Sequence, residues 1–120
     1  MSDNVEFGKK GEKLAQAYLR NEDYEIIEVN WRFGKNEIDI IAGKDDMIVV
    51  VEVKTSRSNF LCEPDISVTK SKQKSIIRAA NAYLNWNNIC KETRFDIISI
   101  VLTTNNHRIK HIEDAFYPTL

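Results

Sequence analysis

The chain has 120 residues, of which 42% are hydrophobic and 29% charged, with a formal net charge of −1. This length predicts one domain over residues 1–120 with one core, and the net charge argues against a generally basic nucleic-acid binder. No apolar run is long enough to cross a bilayer and the first residues show no secretory signal, so we expect a cytoplasmic protein with no membrane partner.

The first half of the chain predicts a helix followed by three strands. Residues 5–21 carry apolar side chains at helical spacing. Residues 24–33 are rich in β-branched and aromatic side chains, which is typical of a strand. Residues 37–42 and 47–55 predict two further strands, and because only the turn-like residues 43–46 separate them, they should form an antiparallel hairpin.

The second half predicts a polar loop, a helix over residues 69–87, a fully apolar strand over 95–102 and a short strand over 108–112. The order αβββαββ predicts an α/β fold with a mixed sheet flanked by helices. The third strand, the second helix and the fourth strand should form a right-handed crossover. Cys62 and Cys90 follow no metal or disulfide spacing and are predicted to be reduced thiols.

The predicted hairpin carries charged side chains that alternate with apolar ones. The registers that keep the apolar residues together place Asp39, Glu52 and Lys54 on one face. A turn over residues 43–46 would put Asp39 opposite Val50, with Glu52 as its diagonal neighbour at a Cβ separation of ~7 Å. Carboxylates so close could share a divalent cation. The alternative is an ion pair with Lys54 at the sheet surface.

Glu12 adds a third carboxylate at the edge of the apolar stripe of the first helix. Gly8 and Gly11 precede it within about one turn, and each glycine costs ~1 kcal/mol relative to alanine in a helix. Close approach of the helix to a neighbour or to a phosphate would explain that cost. The alternative is a frayed helix start with a solvated glutamate.

The second predicted helix is basic, because residues 66–90 contain no acidic residue. Lys70, Lys74 and Arg78 recur every four positions and should form one stripe on the helix. Like charges placed one helical turn apart repel one another unless a bound anion offsets the repulsion, and this favours a phosphate-binding face. A solvated helix face is the alternative.

Three other polar residues are predicted to have structural roles rather than to belong to a metal or catalytic site. His107 and His111 have a metal-like spacing, but four residues of strand span ~13 Å, which is too far for one ion. Asp96 begins a buried strand and is predicted to cap it or to form a structural pair.

The chain resembles the bacterial YraN-like family of predicted endonucleases over nearly its whole length. The resemblance lies in an ordered set of short motifs: GKKGE at 8–12, YL at 18–19, NWR at 30–32, EIDIIA at 37–42, VEVKT at 51–55, KQ at 72–73, Ala80, YL at 83–84, RFD at 94–96 and AF at 115–116. That family resembles a compact member of the PD-(D/E)XK nuclease superfamily, similar in its core to Holliday-junction resolvases and restriction enzymes.

The resemblance implies a restriction-endonuclease-like core and a site assignment. It implies Asp39, Glu52 and the Val53 carbonyl as ligands of Mg²⁺ or Mn²⁺, with Lys54 positioning the attacking water or stabilising developing charge and Glu12 as an auxiliary acid. It also places Lys72 and Gln73 on the helix that faces the substrate. Together with the basic stripe, the predicted nucleic-acid-binding residues are Lys70, Lys72, Gln73, Lys74 and Arg78.

The function expected from these residues is metal-dependent endonuclease activity on DNA, with branched or junction DNA as candidate substrates. The resemblance to resolvases also implies a homodimer. One alternative is a catalytically silent nucleic-acid-binding module of the same fold. Another is a structural partner protein that dimerises through an edge strand, with Glu52 and Lys54 as a plain ion pair.

Overall fold

A computed structural model describes the backbone of residues 3–57 and 64–118, with side chains from residue 5 onward. The elements in chain order are α1 (Asp3–Asn21), β1 (Glu25–Phe33), β2 (Asn36–Lys44), β3 (Met47–Arg57), α2 (Lys70–Trp86), β4 (Thr93–Leu102) and β5 (His107–Phe116). This order confirms the predicted αβββαββ fold. Cys90 is exposed and unbridged, whereas Cys62 lies outside the described residues.

The strands form one mixed sheet in the order β1-β2-β3-β4-β5. β3 and β4 are parallel, and the other neighbouring pairs are antiparallel. Residues 95–102 of β4 are all buried, as the apolar run predicts for a central strand covered on both faces. β5 is longer than predicted, because it pairs with β4 as far as Phe116 through a bulge between Phe95 and Ile97.

The two helices cover different faces of the sheet, each over its own apolar cluster. The cluster under α1 includes Ala15, Leu19, Ile40, Val49, Val51 and Ile98. The cluster under α2 includes Ile76, Ala80, Tyr83, Ile41, Val50 and Phe95. Alternate residues of β3 therefore face different helices, which places Glu52 on the side of α2. Within the described parts of the chain, neither helix is long and apolar enough to span a membrane.

The turn between β2 and β3 is shorter than predicted. It contains only Asp45 and Asp46, whose φ angles of 50° and 63° are both left-handed. A two-residue hairpin loop needs this conformation, which aspartate tolerates better than most residues. Lys44 consequently pairs with Met47 and Ile40 with Val51, so the predicted register with Asp39 opposite Val50 is wrong.

Candidate metal centre and nucleic-acid surface

Asp39 and Glu52 meet where the β2–β3 ladder ends. The last pair of the ladder is Ile40 with Val51, and Asp39 and Glu52 are the next residue on each strand. Asp39 Oδ2 accepts a hydrogen bond of 2.8 Å from the Val53 amide, which ties its carboxylate to β3. The observed register thus places the two acids as direct neighbours, rather than the diagonal neighbours expected from sequence.

The apolar and polar residues of β2 do not keep their alternation at this point. Ile38 belongs to the cluster under α2, whereas Ile40 belongs to the cluster under α1. Strict alternation would have placed these isoleucines on the same face. The predicted regularity of residues 37–40 is therefore wrong. Asp39 lies at the break, with its carboxylate reaching across to β3.

The ionised form of Glu52 is poorly stabilised by its surroundings. Its side chain is only 11% exposed. The pKa of Glu52 is raised to about 8, first by burial and then by the adjacent Asp39 through a hydrogen bond and charge repulsion. Lys72 Nζ, 3.5 Å from Glu52 Oε2, lowers that pKa only in part. Among the described residues, Lys72 is the one cation that contacts Glu52, so this largely buried acid beside a second acid has too little positive charge around it.

Gly11 brings the first helix close enough to place Glu12 beside this pair. A Cβ built on Gly11 would lie 1.9 Å from Thr55 Oγ1, so α1 can pass β3 at this distance only without a side chain there. Burial raises the pKa of Glu12, and Asp39 and then Glu37 raise it further by charge repulsion. The close approach inferred from the glycines is confirmed for Gly11. Gly8 has no atom within 4 Å of a built Cβ, so it carries no such constraint.

Asn30 is a site residue that the sequence pattern did not identify. With its side-chain amide oriented to satisfy both neighbours, its nitrogen donates to Glu12 Oε1 at 2.8 Å and to Glu37 Oε1 at 3.0 Å. Its φ of 53° is left-handed, a conformation that asparagine adopts more readily than most residues. That preference was the one available signal. Asn30 thus links the helix and the sheet at the edge of the acidic group.

Lys54 lies on the face of Glu52 but contacts the loop before α2. Its Nζ forms an ion pair with Asp65 Oδ2 at 2.8 Å and donates to the Ser67 carbonyl oxygen. The hydrogen bond from Lys54 holds the pKa of Asp65 well below its usual range. Ser99 pairs with Lys54 in the β3–β4 register, and its buried hydroxyl has no hydrogen-bond partner among residues 3–57 and 64–118.

The donor set that could hold a cation consists of Asp39, Glu52 and the backbone carbonyl of Val53. Within the described ranges, no group of three His, Cys, Asp or Glu side chains is close enough to hold a metal ion. Mg²⁺ is commonly bound by one or two carboxylates and keeps several waters. This set of oxygen ligands therefore fits Mg²⁺ better than a metal that prefers nitrogen or sulfur ligands. The Glu12 carboxylate lies at the edge of the set.

The basic residues of α2 are divided between two surfaces. Lys72 reaches Glu52, whereas Lys70, Gln73, Lys74 and Arg78 line a groove elsewhere on the helix. Gln73 Nε2 also donates to the Val68 carbonyl at 3.0 Å, beside the Thr69 N-cap. The predicted stripe is thus a single surface without Lys72, which belongs to the acidic centre.

Asp96 forms the structural pairs expected of it. Its carboxylate accepts from both Arg94 Nε and Arg94 Nη2, at 2.9 and 2.8 Å, and from the Asp114 amide at 3.0 Å. His111 Nε2 lies 2.7 Å from Asp96 Oδ2, while His111 Nδ1 bonds the Tyr18 hydroxyl at 3.0 Å. Both ring nitrogens are therefore engaged, which is consistent with rejecting a His107–His111 metal pair.

Comparison with known proteins shows what this chain is similar to. Residues 11–100 match the family described as "Uncharacterised protein family UPF0102". The UPF0102 protein of Bacteroides thetaiotaomicron is 43% identical over 120 residues, which cover 100% of this chain and 99% of the relative. That of Parabacteroides distasonis is 41% identical over 117 residues, covering 98% and 97%, respectively. This chain therefore belongs to the UPF0102 family.

Proposed function

We propose that this protein is a divalent-metal-dependent endonuclease that hydrolyses phosphodiester bonds in DNA. The observation that supports it most is the Asp39–Glu52 pair, in which a buried carboxyl with a pKa of about 8 lies beside a second acid. Bringing two like charges together out of water is costly unless a cation compensates for them. The resemblance to junction resolvases favours branched DNA and a homodimer, which both stay predictions.

Each residue of the centre has a distinct part in the proposed reaction. Asp39 and Glu52 bind the cation together with the Val53 carbonyl, and the Val53 amide keeps Asp39 oriented. Mg²⁺ or Mn²⁺ bound there would supply Lewis-acid activation of water and neutralise charge on the phosphate. Glu12 accepts a proton or orients water at the edge of the pair.

Lys54 is the residue whose role requires a rearrangement. Its ammonium is held by Asp65 and Ser67, so it stabilises charge on the phosphate only after exchanging Asp65 for the substrate. Asp65 is an exposed side chain on a loop, and an exposed ion pair of this kind is worth only ~1 kcal/mol or less. A phosphate, which carries its own negative charge, can therefore replace it at little cost.

The experiment is a cleavage assay over linear, nicked, flapped and junction DNA with Mg²⁺ or Mn²⁺. We expect Asp39→Ala, Glu52→Gln and Lys54→Ala to lower the rate by roughly a hundredfold to a thousandfold, the effect of removing one charge-stabilising group. Asp45→Asn is the matched control, because it alters an exposed acid at the far end of the same hairpin. Equal cleavage by Asp39→Ala in clean protein would show that the site is wrong.

A second candidate function is nucleic-acid binding without catalysis. It is favoured by the Lys54–Asp65 ion pair, which keeps that lysine away from the acids. Thermal unfolding with and without metal separates the candidates from a purely structural role. A cation at about 100 times its dissociation constant should stabilise the protein by ~2.7 kcal/mol, and Glu52→Gln should abolish the effect. Metal-independent DNA retention with no cleavage would favour the silent module.

A further inference from the structure

A groove of about 340 Å³ runs between α2 and the segment that follows β5. Its α2 wall is formed by residues spaced three or four positions apart, which therefore lie on one side of the helix: Lys70, Gln73, Lys74, Ile77, Arg78 and Asn81. Tyr117 and Pro118 form the opposite wall. The groove combines a row of cations with an aromatic and an apolar surface.

Tyr117 is exposed, but the backbone that carries it is anchored. The Tyr117 residue is 66% exposed, whereas the preceding Phe116 is only 6% exposed. The Phe116 ring stacks on that of Phe95 with the centroids 5.4 Å apart. Since Phe116 is fixed in the core, Tyr117 is held at the groove rather than at the end of a free tail. The aromatic ring is therefore available as a positioned flat surface.

Among the residues that the structure describes, the cations of the groove have no partner of opposite charge. Lys70, Lys74 and Arg78 make no ion pair within 4.0 Å with any acid of the described ranges, and the groove lining contains no acidic residue. Lys72 differs, because it contacts Glu52. Cations placed one helical turn apart repel one another, and an anion with regularly spaced charges would relieve that repulsion. A nucleic-acid backbone has this property.

We propose that the groove binds a single-stranded segment of nucleic acid, with its phosphates on Lys70, Lys74 and Arg78 and a base stacked on Tyr117. A cationic row beside an exposed aromatic ring is how proteins hold single strands, because each base has a flat face. The bases of a duplex are stacked within it and cannot reach the ring. This inference rests on the proposed function and narrows its substrate to DNA with an unpaired segment, such as a flap or an open junction.

The groove and the acidic centre lie near the same end of α2, on different sides of the helix. Lys70 and Lys74 flank Lys72, whose ammonium lies 3.5 Å from Glu52. From Lys70 to Arg78 the helix rises ~12 Å, so the row of cations leads away from the first turns of α2. One end of a strand bound along the groove would therefore lie at the same end of α2 as Lys72, and the strand would have to pass around the helix to reach the acid pair.

The experiment measures the affinity for a fluorescent oligothymidylate and for a duplex of equal length, both with EDTA. We expect Tyr117→Ala to weaken binding of the single strand by roughly fivefold to a hundredfold, with duplex binding unchanged. Tyr117→Phe should bind like the wild type, because the ring is retained. Trp86→Ala is the matched control, since Trp86 is an 83% exposed aromatic on α2 that does not line the groove.

Two further measurements check the charges and the fold. Lys74→Ala should make the salt dependence of single-strand binding shallower by roughly 0.7 in the slope of log K against log salt. Melting temperatures of all variants should match the wild type, because Tyr117 and Lys74 are exposed.

The inference would be overturned if Tyr117→Ala left single-strand binding unchanged, or if it weakened the binding of single strand and duplex equally. A change in oligomeric state would also overturn it, because the groove would then bind a second copy of the chain. Because no divalent metal is present, this result is independent of cleavage. Tyr117-dependent binding without any cutting would sink the proposed function alone. Cutting of branched DNA with no effect of Tyr117 on binding would sink the inference alone.

Discussion

Asp96, which is fully buried, and Glu52, whose side chain is 11% exposed, are two carboxyls on neighbouring strands, one residue apart in register, that face opposite helices. Burial alone would raise the pKa of Asp96, but hydrogen bonds from His111, Arg94 and the Asp114 amide bring it below its usual value. Burial and then the neighbouring Asp39 together raise the pKa of Glu52 to about 8, against the partial lowering by Lys72. The comparison shows that burial does not distinguish a structural acid from a candidate ligand. The charge and the donors around it do.

The largest expected effect is on the stability of the Asp96 network. Asp96→Asn removes the hydrogen-bonded anion of the Arg94 guanidinium, whose side chain is 17% exposed, and leaves it, among the described acids, only the exposed Glu113 at 3.8 Å. Removing one partner of a buried pair costs about 3–5 kcal/mol, so the free energy of unfolding should fall by that amount in urea titrations. Glu52→Gln should be neutral or stabilising at pH ~7, because the folded wild type must take up a proton on Glu52 at that pH, whereas glutamine is neutral in both states. Equal destabilisation by both substitutions would contradict the comparison.

The second effect is the pH dependence that Glu52 confers without metal. The unfolded chain loses the Glu52 proton near 4.5, whereas the folded protein keeps it until about 8. Between these values the folded state binds one more proton, so the free energy of unfolding falls as pH rises, by at most about 1.4 kcal/mol per pH unit. Asp96 has a lowered pKa, and its contribution is instead lost in acid, below its ordinary value of 3.8.

Urea titrations in EDTA at several pH values between about 5 and 8 measure this difference. The stability of Glu52→Gln relative to wild type should increase with pH across that window. Parallel curves for the two proteins would show that Glu52 is already ionised in the folded state, and the contrast with Asp96 would then disappear.

A smaller effect concerns the approach of the third carboxylate. Gly11→Ala forces a Cβ into Thr55, and overpacking of this kind costs about 1–3 kcal/mol. Gly8→Ala is the matched control, because its Cβ meets nothing within 4 Å and alanine favours a helix by up to ~1 kcal/mol. Chemical denaturation should therefore show a lower free energy of unfolding for Gly11→Ala and a higher one for Gly8→Ala. Similar shifts would mean that the close approach does not hold α1 at β3.

The smallest effect separates two lysines that are two residues apart. Lys72→Ala removes the cation that lowers the pKa of Glu52, so the pH at which Mn²⁺ or Mg²⁺ stabilises the fold should rise. Lys72 is half exposed, and its pair should contribute no more than ~1 kcal/mol. Lys74→Ala should leave the metal titration unchanged. If Lys74→Ala shifted the pH of metal stabilisation equally, Glu52 would be responding to the overall positive charge of α2 rather than to its contact with Lys72.

Sequence periodicity predicted the element order and the meeting of Asp39 and Glu52 on one hairpin, because buried β-branched runs constrain which strands pair. The two-residue turn was not predicted, because the left-handed φ angles of Asp45 and Asp46 do not show in the pattern of apolar residues. Periodicity also missed the break at Asp39, whose carboxylate accepts a hydrogen bond from the Val53 amide. Contacts of Lys72 and Asn30 with the acids are long-range and could not follow from spacing along one strand.

The short turn between β2 and β3 has a consequence for the order of folding. Hairpins form within roughly 1–10 μs, whereas parallel pairing of β3 with β4 must wait for closure of the intervening chain and helix. We therefore expect Asp39 and Glu52 to meet while Lys72 is still remote. The nascent chain would bring its acid pair together before any protein cation arrives, so divalent ions in the medium would act on the folding chain as well as on the finished molecule.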